Sequence, residues 1–411
     1  MDDRARTAWL LRRAGFGAAA GELDQAPEKI LGRLIDPDRH GVAPAADPWD
    51  NAVLAAPPSR ELRLHAIDGW LERMRVTPRP LEERMAWVWH DHFATSLAKV
   101  RHPGLLVAQV RTIQRHALGS FPALVRAITV DSAMLLWLDG ATSTGRRPNE
   151  NYGRELLELF TVGLGAHTED DVMAAARALT GWTVQRGTGK AVFARRRHDD
   201  TPQRLLGRHV HDVDTVVDAV CRAPACAPFV TAALARHLLG PAAAADAELV
   251  GDLAADFRRG GLQIRPLVRA LLRAGLDRDD TAVVEAPVPW LVRAERQTGA
   301  RLSAPLRVAG LAASGQLPMA PPDVGGWPQY EAWLAAGTMV ARASLAGAVA
   351  AAAPRTGAAR SAARGRDAVK LALAVGRPSG FGAATRSAIR SAPDEISALA
   401  VALAAPDQVV I

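Results

Sequence analysis

The run Pro148-Asn149-Glu150-Asn151-Tyr152-Gly153-Arg154-Glu155-Leu156-Leu157-Glu158-Leu159-Phe160-Thr161 has the clearest helical pattern in this sequence. Asn149 is a preferred N-cap residue, and positions 151, 155 and 158 fall on one face of the helix that it begins. The adjoining face carries four side chains that we expect to be buried: Tyr152, Leu156, Leu159 and Phe160. The run therefore predicts an amphipathic helix that presents one amide and two carboxylates.

Helical patterns recur along most of the chain. Hydrophobic residues make up 49% of the composition and aromatic residues only 5%, and Ala and Leu, both strong helix formers, dominate the apolar share. Thr168 and Asp171 predict a capping box. Only residues 182–193, with apolar segments on either side of Arg186-Gly187-Thr188-Gly189, predict a β-hairpin. We therefore predict a mainly all-α fold, a single multi-helix orthogonal bundle with one small hairpin near 182–193.

The composition changes at Pro354, after which Ala, Arg, Ser and Gly dominate and the apolar periodicity weakens. We therefore divide the chain into a main helical domain, residues 1–353, and an Ala- and Arg-rich C-terminal helical extension, residues 354–411. We expect this extension to be peripheral.

The charge balance and the N-terminus exclude several classes of protein. The net charge of +7 is small for 411 residues, and no stacking aromatics alternate with the basic clusters, so we do not expect nucleic-acid binding. The start, Met1-Asp2-Asp3-Arg4, is not that of a secretory signal, and no stretch approaches the roughly 20 apolar residues of a membrane span. We expect a cytoplasmic protein without membrane association, in which Cys221 and Cys226 are buried, reduced thiols.

Two imidazoles and one carboxylate follow one another in the run Trp87-Val88-Trp89-His90-Asp91-His92. Each of these groups is a competent metal ligand or acid–base group. On an unbroken helix, however, His90 and His92 point about 200° apart and cannot reach one ion. We expect His92 to point inward and His90 to lie on the other side. The alternative is a histidine that is hydrogen-bonded in the core.

Glu155 adjoins an apolar stripe and should be partly desolvated, which requires a cation, a metal or a raised pKa. Structural ion pairs offer another explanation, since Arg154 precedes Glu158 by four residues and Arg177 or Arg146 could pair with Glu155.

A third polar run, His198-Asp199-Asp200, follows the hairpin, with His209 and His211 beyond it. An adjacent histidine and aspartate, such as His198 and Asp199, can ligate a metal, or the carboxylate can orient the imidazole. The run can equally be a solvated loop, with Asp212 as a helix N-cap.

These runs resemble a large bacterial family catalogued as domain of unknown function 1800. The resemblance rests on Trp9-Leu10-Leu11-Arg12-Arg13-Ala14-Gly15-Phe16-Gly17, residues 89–96, 148–161, 168–182 and 198–199, and Pro321-Pro322-Asp323-Val324-Gly325-Gly326-Trp327-Pro328, and it covers roughly residues 5–345. The resemblance implies no reaction. Many members look exported and are often encoded beside a secreted protein similar to sulfatases and phosphatases. This chain departs in having no export signal and in carrying Gly325 where the family usually has Lys.

The first functional hypothesis is a metal-assisted, hydrolase-like enzyme with a site between helices. It gathers the catalytic candidates Glu155, His92, His90, Asn151, His198 and Asp199. A divalent metal ion of unidentified type would bind His90, His92, Glu155 and His198, and the substrate would contact Tyr152, Trp89, Trp327 and Arg154. An iron- or copper-dependent oxidation is an alternative chemistry for the same groups.

The second hypothesis is a non-catalytic binding or maturation partner of another protein, in which the same polar runs form a buried structural network. A third hypothesis, weak anion or nucleic-acid binding, would use Arg146, Arg147 and the run Arg195-Arg196-Arg197. Solvent access to Glu155 discriminates between the first two, because a site needs an opening and a structural network does not.

Overall fold

A computed structural model describes residues 1–19 and 21–411 of the chain, and 62% of the chain is helical. The first helices are α1 (Asp3–Arg13), α2 (Pro27–Ile35), α3 (Asn51–Leu54), α4 (Arg60–Val76), α5 (Pro80–His92), α6 (Pro103–His116), α7 (Phe121–Thr129), α8 (Ser132–Trp137), α9 (Glu150–Glu155) and α10 (Glu169–Ala178). A π-helical segment, Leu156–Thr161, continues α9. Asn149 caps α9, and Thr168 and Asp171 form a capping box on α10, as predicted.

The strands are β1 (Trp182–Val184), β2 (Ala191–Phe193), β3 (Gln203–Leu205) and β4 (Arg208–Val210). The later helices are α11 (Val213–Arg222), α12 (Cys226–Leu238), α13 (Pro241–Ala245), α14 (Ala247–Arg259), α15 (Ile264–Leu276), α16 (Pro287–Thr298), α17 (Ala304–Ala313), α18 (Ala336–Ala352), α19 (Ala358–Arg364), α20 (Ala368–Ala374), α21 (Ala383–Ser391), α22 (Glu395–Ala404) and α23 (Pro406–Val409). The prediction of a mainly α fold with a small β element is therefore confirmed.

The β structure consists of two antiparallel hairpins. β1 pairs with β2 with Thr183 opposite Val192, which confirms the predicted hairpin. The second hairpin, in which Arg204 of β3 is opposite His209 of β4, was not predicted. Its two-residue turn places Leu206 and Gly207 at φ 48° and 80°, the left-handed conformation that such turns require.

Packing divides the chain into two compact units. The first comprises residues 1–84, 272–318 and 328–411, and the second comprises residues 85–271 and 319–327. The first unit has a core that includes the fully buried Trp70, Trp290 and Leu399. The core of the second unit is rich in aromatic side chains, with Trp89, Phe93, Phe121 and Phe160 fully buried. All three polar runs singled out above lie in the second unit.

Residues 354–411 are helical, as expected, and belong to the first unit. Their apolar side chains are not peripheral, because Leu371, Ile389 and Leu399 are fully buried. The last residue also pairs with an earlier segment: the backbone N–H of Ile411 donates to the carbonyl of Val283 over 2.9 Å. The expectation of a peripheral extension is therefore wrong, while the domain boundary at residue 354 stays a prediction.

In the part of the chain that the structure describes, no single helix has both the length and the apolar composition to cross a membrane. One pair of helices, Val213–Arg222 and Cys226–Leu238, meets these criteria only when its two members are taken together, and they meet at a 78° bend.

Candidate functional site

The C-terminal end of α5 is buried on all sides. The helix continues without a break to His92, so His90 and His92 project in different directions, as the helical geometry predicts. The expected orientation, with His90 away from the core, is wrong. His90 is fully buried, whereas His92 is only partly buried. Burial lowers the pKa of His90 to about 3, because the low-dielectric surroundings disfavour the imidazolium.

Asp91 joins α5 to the loop of residues 321–327. One of its carboxylate oxygens, Oδ1, accepts a 2.8 Å hydrogen bond from the backbone N–H of Trp327, and Oδ2 lies 3.7 Å from Nε2 of His237. Gly326 has a φ of +89°, and a Cβ there would lie 2.3 Å from Oδ1 of Asp91. The double glycine of the loop therefore allows its backbone to approach the carboxylate closely.

Aromatic rings complete the packing around the same aspartate. The indoles of Trp87 and Trp327 are stacked with centroids 4.9 Å apart, and the His90 ring lies 5.5 Å from that of Trp327. Both indoles are less than a tenth exposed. The His90–Asp91 step and the loop of residues 321–327 thus form one buried His–Asp–Trp network.

His92 is tied to the π-helical segment. Its Nε2 lies 2.9 Å from the backbone carbonyl oxygen of Phe160. A carbonyl oxygen can only accept, so Nε2 carries the proton and donates it. Burial outweighs this hydrogen bond and lowers the pKa of His92 to about 4. The ring is therefore neutral near pH 7. It connects α5 to the π-helical segment Leu156–Thr161. Such π-helical turns are frequent at functional sites.

The exposed face of α9 carries a charged network. Arg154 lies 3.2 Å from Glu150, 3.5 Å from Glu158 and 2.7 Å from Glu169, and these carboxylates raise its pKa. Glu158 also lies 3.7 Å from Nε2 of His167. The predicted substrate contact Arg154 is thus paired within the chain.

Asn151, on the same face, donates from Nδ2 to Asp139 over 3.4 Å, and Asp139 also pairs with Lys99. Asn151 is exposed.

Glu155 differs from its neighbours. Within residues 1–19 and 21–411 it makes no hydrogen bond or ion pair, although it is only partly exposed. Desolvation raises its pKa, the nearby charge of Glu158 raises it further, and Arg154 offsets part of the rise. Arg177, which we considered as a partner for Glu155, instead pairs with Asp199 at 3.1 Å. The expectation of a partly desolvated carboxylate is therefore met.

His198 and Asp199 are held by the segment before the first hairpin. The imidazole Nδ1 of His198 donates to the carbonyl of Thr180 over 2.9 Å, and the side chain is only 2% exposed. The carboxylate of Asp199 accepts from the backbone N–H of Thr201 over 3.0 Å. The Thr201 side chain, this backbone N–H and Arg177 together lower the pKa of Asp199. This pair is an internal connection between two loops.

The predicted substrate-contacting aromatic side chains are buried. The indole N–H of Trp89 donates to the carbonyl of Ala117 over 2.9 Å, and the Tyr152 hydroxyl lies 2.8 Å from that of Thr129. Tyr152 borders a cavity of about 20 Å³, which it shares with Asn149 and Trp182. A cavity of this size holds about one water molecule. It is too small for a substrate.

The side chains predicted to bind a metal do not converge. In the described residues, no group of three or more His, Cys, Asp or Glu side chains is placed to hold a metal ion. His90, His92 and His198 each face different neighbours, and Glu155 faces none of them within hydrogen-bonding distance. In the described residues these four side chains are therefore not gathered at one point, because the imidazoles of His92 and His198 connect separate segments. The metal site stays a prediction.

Sequence reasoning missed two members of the network. His237, on α12, does not lie in a sequence motif that would identify it as functional. The Phe160 carbonyl is a backbone group, and only the π-helical turn makes it available as an acceptor. The double glycine at 325–326 was the one available signal, since it predicts a close approach of backbone to another group.

The fold and these contacts define a mainly helical protein whose polar motifs connect helix ends and loops in the second unit. The chain belongs to the family described as Protein of unknown function (DUF1800), whose model matches residues 9–410. The resemblance noted from the motifs is thereby confirmed, and it extends beyond residue 345 to nearly the end of the chain. No curated protein and no solved structure matches the chain.

Proposed function

We propose that this chain is a non-catalytic binding or maturation partner of another protein, and that its polar runs form the internal framework of the binding unit. One observation carries the proposal: the imidazoles expected to be catalytic donate their N–H groups to backbone carbonyls, His92 to Phe160 and His198 to Thr180. These bonds connect segments that are far apart in sequence, which is the role of a buried structural network.

The protonation behaviour of the buried imidazoles supports the same function. A general base works best when its pKa lies near the working pH. Burial holds the pKa of His90 at about 3 and that of His92 at about 4. Rings with such values stay neutral and exchange few protons near pH 7, so they suit packing and hydrogen bonding better than proton transfer.

The turn that follows the π-helical segment offers a contact surface for a partner. Leu164 is 79% exposed and lies between Gly163 and Gly165, whose φ angles are 82° and 79°. The carbonyl of Leu157 accepts from the N–H groups of both Val162 and Gly163, at 3.1 and 2.9 Å. The leucine is thus presented on an ordered turn, which reduces the entropy cost of binding.

Polar and charged residues precede and follow Leu164 in the sequence. Glu158 pairs with Arg154 before the turn and with His167 after it. An apolar centre with a polar rim is the usual arrangement of a protein interface. We therefore assign the contact with the partner to a surface of Leu164, Arg154 and Glu158, called here the Leu164 surface. The side chain of His167 is only 7% exposed, so it supports Glu158 and is not part of this surface.

A photo-reactive amino acid at position 164 tests the proposal in the native cells. We expect one discrete cross-linked protein, which is then purified and titrated with the full chain. Leu164→Asp should weaken its binding by at least tenfold, because a buried leucine contributes roughly 2 kcal/mol at an interface.

Val192→Asp is the matched control, since Val192 is also exposed in the second unit but lies on the hairpin. Its affinity for the purified partner should equal that of the wild type. Equal affinities for the wild type and Leu164→Asp, with both variants folded, would refute the assignment of this surface.

A second candidate function is acid–base catalysis at Glu155, with or without a divalent metal ion. It is favoured by one observation, the unpaired and partly desolvated carboxylate with a raised pKa. Elemental analysis of untagged protein, with Glu155→Gln as the comparison, tests the metal-dependent form. Stoichiometric metal in the wild type that is lost in the folded variant would favour this candidate, and metal-free protein that binds its partner would favour the first.

A further inference from the structure

Five arginines and one glutamate of the first unit form what we call the buried arginine cluster: Arg12, Arg13, Arg84, Arg293, Arg342 and Glu285. Arg13, Arg293 and Arg342 are each 1% exposed, Arg84 is 8% exposed, Glu285 is 4% exposed, and Arg12 is half-buried. The charge of Glu285 acts on every one of the five guanidinium groups. Five positive charges therefore share one buried carboxylate.

Arg293 occupies most of the hydrogen-bonding capacity of the Glu285 carboxylate. Its Nε and Nη2 donate to Oε2 of Glu285 over 3.0 and 2.7 Å, the two-pronged geometry of a strong guanidinium–carboxylate pair. Its remaining N–H groups donate to Gln408, at 2.7 and 2.8 Å. Arg293 is thus satisfied within the chain, and its ion pair with Glu285 is complete.

The other four arginines have no side-chain carboxylate within ion-pair distance in the part of the chain that the structure describes. Six of their buried nitrogens have no hydrogen-bond partner: Nη1 of Arg12, Nη1 of Arg13, Nε and Nη1 of Arg84, and Nε and Nη1 of Arg342. Some of their other nitrogens are used. Arg13 donates to the carbonyl of Ile411 over 2.8 Å, and Arg342 donates to that of Glu285 over 2.7 Å.

The same unit shows how the fold satisfies a buried arginine where it does so internally. Arg307 is also 1% exposed, and its guanidinium lies 2.9 Å from Asp68, 3.1 Å from Glu72 and 3.0 Å from Glu295. Three carboxylates surround one cation there. The buried arginine cluster has five cations for one carboxylate, so negative charge is missing from it.

The excess charge cannot be removed by loss of protons. Burial, with the neighbouring cations, lowers the pKa of Arg12 and of Arg13 to about 9 and that of Arg342 to about 10. All of these values lie above pH 7, and the guanidinium group resists deprotonation in proteins. Buried charges without partners destabilise a fold strongly. A bound counter-ion resolves this imbalance.

We propose that the buried arginine cluster is a binding site for a small multivalent oxyanion of the phosphate class. Guanidinium groups present planar pairs of N–H donors that match the oxygens of phosphate and similar anions. A tetrahedral dianion brings two negative charges and several acceptor lone pairs to the unpaired nitrogens of the cluster. Chloride brings one charge and no directed acceptors.

Thermal unfolding of the dialysed full chain tests the proposal, with inorganic phosphate as the probe. Phosphate at about one hundred times its dissociation constant should raise the unfolding temperature of the wild type by roughly 5 °C. Sulfate should give a smaller or equal rise, and sodium chloride at matched ionic strength should give none. Isothermal titration should show one phosphate bound per chain.

Arg84→Met removes a cluster arginine without disturbing the Arg293–Glu285 pair. We expect it to weaken phosphate binding at least tenfold and to unfold at a higher temperature than the wild type in anion-free buffer, because it removes an unpaired buried charge. Arg84→Lys, which keeps the charge but not the planar donors, should also bind phosphate more weakly. Arg60→Met, at an exposed position, is the control and should bind like the wild type.

Three results would overturn the proposal. They are the absence of phosphate binding to the wild type by titration, an equal temperature rise with chloride, and phosphate affinity that is unchanged in folded Arg84→Met and Arg84→Lys. If both variants fail to fold, the wild-type titration and the chloride comparison still decide the matter.

Discussion

Glu285→Gln should lower the free energy of unfolding of the chain by at least about 3–5 kcal/mol, the usual cost of removing one partner from a buried ion pair. The substitution leaves the side-chain shape almost unchanged but removes the carboxylate whose charge acts on all five guanidinium groups of the buried arginine cluster. Urea unfolding and circular dichroism measure the loss of unfolding free energy.

Glu395→Gln is the matched control in the same unit. Glu395 pairs with Arg360 and Arg364, but its side chain is 23% exposed and Arg364 is largely exposed. We expect a much smaller loss of unfolding free energy than at Glu285, because water screens the pair. A loss at Glu285 no greater than that at Glu395 would contradict the description of the cluster as a buried charge imbalance.

Acidification from pH 7 to pH 5 should destabilise the chain through His90 and His92 by about 4 kcal/mol in total. Their folded pKa values, about 3 and about 4, lie below the value of about 6.5 for an unfolded histidine. Between pH 6.5 and pH 5 the unfolded rings therefore bind protons that the folded rings do not. Each ring then costs about 2 kcal/mol, and stability falls as the pH falls.

One buried carboxylate acts in the opposite direction. Burial raises the pKa of Asp131 to about 6, so acidification to pH 5 stabilises the folded state by about 1 kcal/mol at this residue. Comparing variants isolates the histidine contribution. His92→Gln should reduce the loss between pH 7 and pH 5 by about 2 kcal/mol, whereas His209→Gln, at an exposed position, should not. Identical losses in the wild type and His92→Gln would contradict the assignment.

The helices and their ends were predictable because their signals are local. Asn149 caps α9 and Thr168 pairs with Asp171 at the start of α10, as their side-chain chemistry predicts. The first hairpin was predictable for the same reason. The π-helical turn after Glu155 was not, because it results from packing at Phe160 and His92 and no residue type in the run requires it.

The contacts that decide the role of each polar residue are long-range. Asp91 accepts from Trp327, 236 positions along the chain, and His92 reaches a backbone carbonyl that no sequence pattern marks. The residue types predicted that these polar groups are important. Whether each one stabilises the fold or contacts a ligand depends on its hydrogen-bond partners, which the sequence does not give. The burial of the helices after Pro354 was not predicted, because small Ala side chains bury well without a strong apolar period.

The protonation state of the buried histidines tests the central claim most directly. Long-range proton–nitrogen NMR spectra of the chain, labelled with ¹⁵N at histidine, report the ring charge and the protonated nitrogen of each residue as the pH falls from 8 to 5. If the polar runs are a structural framework, His90 and His92 stay neutral throughout, with the proton of His92 on Nε2. Titration of His92 near pH 6.5, or a proton on its Nδ1 instead, would show a ring open to reaction and contradict the framework.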